Sequence, residues 1–216
     1  MPDLEFVVEG AAPVPHSIVP TLGLKLRISN SGQERIDSVQ LTCQIRIEAQ
    51  RRRYLPAEKE RLFDLFGEPS RWSQTLRSLL WTHVSTNVPA FTSSTVIELP
   101  VPCTYDFNVL AGRYFYALEA DDVPLLLLFS GTIFFREDDG GRLQVGRVSW
   151  SKEATYQLPV AAWKSMMERY YPNSAWLCLR KDVFDRLAAY KSRQGLPTWE
   201  QALEALLPAI EESRAP

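Results

Sequence analysis

The chain has 216 residues, 45% of them hydrophobic, and a formal net charge of -2. That is enough for one large domain, or a medium one with an appendage, around a real core. The charge balance argues against a general nucleic-acid binder, which needs a strongly basic face, and leaves room only for a local basic patch.

Asp3, Glu5 and Glu9 stand where a secretory leader would carry Lys or Arg, and no apolar stretch follows them. The longest apolar run, Val123–Phe129, is broken by Pro124. It falls far short of the roughly 20 residues that cross a bilayer, and reads as a buried central strand. A cytoplasmic protein without membrane insertion is expected. Cys43, Cys103 and Cys178 are far apart and form no CxxC pair, so neither a disulfide framework nor a zinc site is expected. Cys43 and Cys178 lie in apolar alternating stretches that predict buried thiols.

In chain order, Leu4–Glu9 opens the strands. Leu22, Leu24, Leu26 and Ile28 alternate with other residues, as do Val39, Leu41, Cys43, Ile45 and Ile47. Asn30-Ser31-Gly32 between these two runs reads as a turn joining neighbouring antiparallel strands. Pro56 opens and Gly67 closes a helical pattern, and a second short helix over about 70–80 completes an insertion at about 56–80. Strand character returns at 81–88, 95–101, 107–118, 125–136 and 143–150, with Pro100, Pro102, Asp121-Asp122 and Asp138-Asp139 in the turns. Helices are expected at 159–171, 182–194 and 198–210, with a short strand at about 175–180. The expected fold is a β-rich α+β one. About eight strands over 1–150 make an antiparallel β-sandwich, with a closed barrel as the alternative, and 151–216 form a helical segment packed on the sandwich or on a partner.

Little in the chain carries chemistry. His16 and His83 are the only histidines, and both phosphate-cradling glycine loops are absent, so no catalytic residue, metal or cofactor is assigned. His83 and Ser85 share a strand face, so a local hydrogen bond is open to them, and His83 and Cys103 are the weak candidates for a polar cleft near Trp81. The densest basic tract, Arg51-Arg52-Arg53, could dock an acidic partner, or it could be a charged strand end pairing with nearby Glu58 and Glu60.

The C-terminal segment from Trp176 resembles a ribbon–helix–helix unit, in which two copies pair strands into a ribbon that reads the DNA major groove. One strand face would carry Trp176, Cys178 and Arg180, the other Leu177, Leu179 and Lys181. Neither holds more than one basic group, too few for paired hydrogen bonds to bases. Packing on the sandwich or on a partner is the better expectation, and it makes Trp176 a partner-binding candidate. Leu177, Leu187 and Leu203 are then expected to be buried.

Several stretches taken together, among them PDLEFVVEGAAPVPHSIVPTL, CQIRIEAQRRRYLPAEKERLFDLFGEPSRW, LLWTHVSTNVPAFT and LPVPCTYDF, resemble an uncharacterised bacterial family, a domain of unknown function. The resemblance implies association with gene clusters that encode nickel–iron hydrogenases of the aerobic, high-affinity kind, and it carries over no site residue. The functional expectation is a non-enzymatic accessory or interaction protein with a protein partner, a hydrogenase component first among them, or a second copy of the chain. A DNA-binding regulator and a ligand-binding or hydrolytic protein with a cleft near His83 stand as alternatives.

Overall fold

Period-two alternation sets up both sheets. In the computed structural model, which describes residues 2–105, 109–136 and 141–207, Leu4, Phe6 and Val8 are buried on β1 (Leu4–Pro13). Leu22, Leu24, Leu26 and Ile28 are buried on β2 (Thr21–Asn30), and Leu99 and Val101 on β5 (Ser94–Pro102). These three form one sheet in the order β1-β2-β5. In the second sheet β3 (Arg35–Ile47) lies between β4 (Leu79–Val88) and β6 (Asp122–Arg136). The other edge of β6 is shared end to end by β7 (Gln144–Arg147) and β8 (Glu153–Pro159). All pairings are antiparallel.

The described residues thus hold eight strands in two sheets, the β-rich α+β fold that the alternation predicts. The Phe6 ring stacks on Phe129 with centroids 4.2 Å apart, joining the inward faces of the two sheets. Such a pair adds roughly 0.5–1.5 kcal/mol beyond its buried area. At the edges β1 runs beside β8 and β4 beside β5. Lys152, just before β8, reaches Asp3 at 2.8 Å and Glu5 at 2.6 Å.

Three expectations are corrected. First, β2 and β3 are not ladder neighbours; they lie in different sheets. Asn30 is buried, accepts from Gly32 N–H (3.1 Å) and donates to the carbonyls of Glu34 (2.9 Å) and Thr92 (3.3 Å), so the turn carries the chain across the core. Alternation says which face of a strand is buried, and two facing strands of a sandwich alternate as well as two paired ones do.

Second, the strand expected at 107–118 is a helix, α4 (Val109–Ala117); 107 and 108 lie outside the described residues. Its buried residues Ala111, Tyr114, Phe115, Ala117 and Leu118 recur at spacings of three and four, the helical period. Third, β8 occupies a stretch that the sequence reading left between strand and helix. Ala154 and Tyr156 pack against the core and Leu158 is fully buried.

The insertion holds α1 (Pro56–Arg61), α2 (Phe63–Phe66) and α3 (Trp72–Thr75); after β8 comes α5 (Val160–Tyr170). Register places all five helices at one end of the larger sheet. Ile47 at the end of β3 lies opposite Leu79 and Leu125, and Asp122 lies opposite Pro159. There Trp81, Phe115 and Trp163 stack in series across β4, α4 and α5, at 5.2 and 5.1 Å.

The chain forms two compact units, Met1–Ser174 and Ala175–Pro216, so β8 and α5 belong to the sandwich unit. The second unit holds α6 (Lys181–Arg193) and α7 (Trp199–Glu204). Its helices are locally encoded: Gly195 has the positive φ of a helix stop, and Thr198 Oγ1 caps α7 by accepting from Gln201 N–H at 3.2 Å. The strand expected at 175–180 does not form; that segment has no ladder partner. No helix among the described residues is long and apolar enough to cross a membrane.

Gly131, opposite Leu41 at the middle of the β3–β6 ladder, tests the packing of the two longest strands. Its φ is 155°, and a Cβ there would run into the carbonyl oxygen of Gln40. Gly131→Ala is expected to cost about 1–3 kcal/mol in urea unfolding, the usual range for overpacking. Gly10→Ala, which meets open space, should change stability by less than about 1 kcal/mol.

Candidate functional site

The basic tract at 51–53 splits on folding. Arg51 and Arg53 are exposed, while the Arg52 side chain is 3% exposed and engages Glu58, which is 1% exposed. Arg52 Nη1 and Nη2 donate to Glu58 Oε2 and Oε1 at 2.8 and 3.0 Å. The remaining donors go to the carbonyls of Asp122 (3.2 Å, from Nε), Arg53 (3.1 Å) and Ala120 (2.6 Å). A guanidinium has five N–H groups, and all five are used. Glu58 also accepts from Leu55 N–H at the start of α1 and from Glu119 N–H just beyond α4, each at 2.9 Å.

The Arg52 guanidinium sits 5.0 Å from the Tyr54 ring centroid. The Tyr54 hydroxyl bonds to Tyr114 (2.7 Å) and donates to the Ala49 carbonyl (2.8 Å). Burial alone would raise the Glu58 carboxyl. The bonds from Arg52, Glu119 and Leu55 outweigh that and hold it below its ordinary 4.5. Arg52 is therefore a structural cation with no donor left for a partner.

The residues of the expected polar cleft are not brought together. His83 is exposed on β4 opposite Gln44, whereas Trp81 is buried against Phe115. Cys103 follows β5 in the other sheet, buried, with its Sγ 3.2 Å from the Val101 carbonyl. Burial pushes the Cys103 and Cys43 thiols up to about 12, so both are poor nucleophiles. Cys178 is exposed, unlike the buried thiol expected there. Asp121 and Asp122 link α4 to β6 rather than closing a hairpin; Asp138 and Asp139 lie outside the described residues. Among the described residues no group of three or more His, Cys, Asp or Glu is placed to hold a metal ion.

Two other features emerge. One is a cleft of about 710 Å³ beside α5, walled by Tyr105, Tyr116, Trp163 and Tyr171, with Lys164 and Glu168 at its lining. Sequence reasoning missed it because its walls come from positions 105, 116 and 163–171, which no local pattern joins. The other is the second unit itself, where among the described residues only Ala202 is buried. Trp176, Leu177, Phe184, Leu203 and Leu207 are all exposed, and Leu187 is half-buried, so this unit by itself does not supply the expected burial of Leu177, Leu187 and Leu203. Phe184 packs on Trp199 at 5.2 Å, with Lys191 5.5 Å from the Trp199 ring centroid. Arg180 and Lys181 pair with Asp182 and Asp185, at 3.0 and 2.8 Å.

The chain belongs to the family of unknown function DUF6084, whose model matches residues 1–215. No curated protein matches it.

Two outcomes follow from this geometry. Arg52→Ala should cost about 3–5 kcal/mol in urea unfolding at neutral pH, because it leaves Glu58 buried and unpaired. Arg53→Ala should stay within about 0.5 kcal/mol. Since Glu58 is depressed in the fold, its contribution is present above its ordinary value of 4.5 and is lost as pH falls below it, so the Arg52→Ala deficit should narrow toward acid. Alkylation of the native protein with iodoacetamide, read by mass spectrometry, should label Cys178 and spare Cys43 and Cys103.

Proposed function

We propose that this member of the family is a non-enzymatic accessory protein that works by protein–protein contact, with the second unit as its docking element. The observation that carries the reading is the imbalance inside that unit. Its helices have their own stop and cap signals, yet their large apolar side chains find no core among themselves. So small a unit cannot close a core alone, and exposed apolar side chains in this number favour a binding role. Leu177 is 67% exposed and Leu207 58%, with Trp176 beside Leu177. An aromatic anchor next to aliphatic side chains is the composition that dominates protein interfaces.

The docking reading is favoured over DNA readout by the side chains on offer. The exposed run Trp176-Leu177-Cys178 has no group able to form paired bonds to a base, and the two basic residues after it are paired with acids. The partner proposed is a component of a nickel–iron hydrogenase, in assembly or in docking, and that choice rests on the sequence resemblance alone.

Affinity purification of the tagged full chain from its native cell, with mass spectrometry, should enrich a hydrogenase component. A Leu177→Asp/Leu207→Asp double variant should lose it while unfolding within about 0.5 kcal/mol of the parent, as exposed substitutions do. Unchanged capture by the double variant would sink the docking surface, and enrichment without any hydrogenase component would sink the partner assignment.

A further inference from the structure

The cleft beside α5 lies wholly in the first unit and has no part in the docking reading above. At about 710 Å³ it is the size of a small-molecule site. Its walls are aromatic in an ordered way. The Trp163 ring is buried and stacked on Phe115, centroids 5.1 Å apart and 13° from parallel, so it is fixed from behind. Tyr105 and Tyr171 sit 5.3 Å apart at 46°, two walls inclined to each other. Tyr116, on α4, is 65% exposed and completes the lining. Four aromatic side chains thus line one space, and the face of each such ring carries the negative pole of its quadrupole.

One lining charge points the same way. Glu168 lies in the lining, one turn after Lys164 on α5. One of its oxygens accepts from Asn173 N–H at 3.0 Å, which fixes the carboxylate and leaves the other oxygen for a ligand. Burial raises the Tyr105 hydroxyl, and nearby Tyr116, Tyr171 and Glu168 raise it further. Arg61, also in the lining, is neutralised by Glu119 at 2.8 Å. Lys164 is the opposing element: its ammonium makes no ion pair among the described residues, and an anion would have to be held there. A single lysine offers an anion one point charge. The four aromatic side chains and the carboxylate offer a cation several partners at once.

We propose that this cleft is an open aromatic cage for an organic cation of the alkylated-ammonium type, lined by Tyr105, Tyr116, Trp163 and Tyr171 and balanced by Glu168. Cation–π attraction to several rings, with a carboxylate nearby, is the established chemistry for such groups.

The test uses the full chain and three probes by titration calorimetry: choline, its uncharged carbon isostere 3,3-dimethylbutan-1-ol, and benzoate. Choline should bind saturably and at least roughly tenfold more tightly than the isostere, the difference that a desolvated cation–π contact supplies. Tyr116→Ala and Glu168→Gln, both at exposed positions, should each weaken choline by about tenfold with unfolding unchanged. Equal affinity for the isostere would reduce the cleft to an apolar hollow. Preference for benzoate would make Lys164 the determinant, and failure of choline to saturate would remove the cage; any of these three results overturns the proposal.

Discussion

The buried pair of Arg52 and Glu58 is the interaction on which the helical end of the sandwich depends. It gathers the loop after β3, the first turn of α1, the chain just past α4 and the start of β6 around one guanidinium and one carboxylate. Desolvating two charges is costly, and their attraction offsets it only when the remaining donors and acceptors are also satisfied. Here they are, on both sides. The pair therefore acts less as a source of net stability than as a gauge: an arrangement of these four segments that misplaces one carbonyl leaves a charge buried and unmatched. Tyr54 extends the same arrangement through Tyr114 to the aromatic stack of Phe115 and Trp163.

Much of the sandwich was legible because a strand with one wet face writes its period into the chain. β1, β2, β3, β4, β5 and β6 all lie where alternation puts them. Partnership was not legible. The run ending at Asn30 and the run beginning near Arg35 look like a hairpin, and only the side-chain bonds of Asn30 across to Thr92 reveal a crossing between sheets. The helix at 109–117 was misread for a related reason. Its aromatic residues favour strands by composition, while the spacing of three and four among its buried residues favours a helix, and spacing is the physically binding signal. The Ala154, Tyr156, Leu158 alternation of β8 was present and shorter, pressed between an exposed turn and Pro159.

The functional residues were harder to read than the fold. Three consecutive arginines look like a surface patch, but whether one of them turns inward depends on a carboxylate six residues later and on carbonyls nearly seventy residues away. Cys103 stood among the polar-cleft candidates and is a buried thiol just past a strand end. The aromatic cleft had no local signature at all, since Tyr105 and Tyr171 become neighbours only when α5 folds back beside α4. What the sequence did carry about the C-terminal helices was their caps and their amphipathic spacing.

The placement of β6 also bears on how the protein is made. Its apolar run, Val123–Phe129, is covered on one edge by β3 and on the other by β8. β3 leaves the ribosome long before β6, so that side can pair at once. β8 emerges some two dozen residues later, and until it does the other edge of a flat, uncharged strand is open to any second chain. Pro124 lies within that run and cannot donate to a ladder, and Lys152 and Glu153 bring charge to the far end of the strand that seals it. The vulnerable interval in the life of this protein is therefore set by translation rather than by the finished fold, and it closes when Leu158 reaches the core.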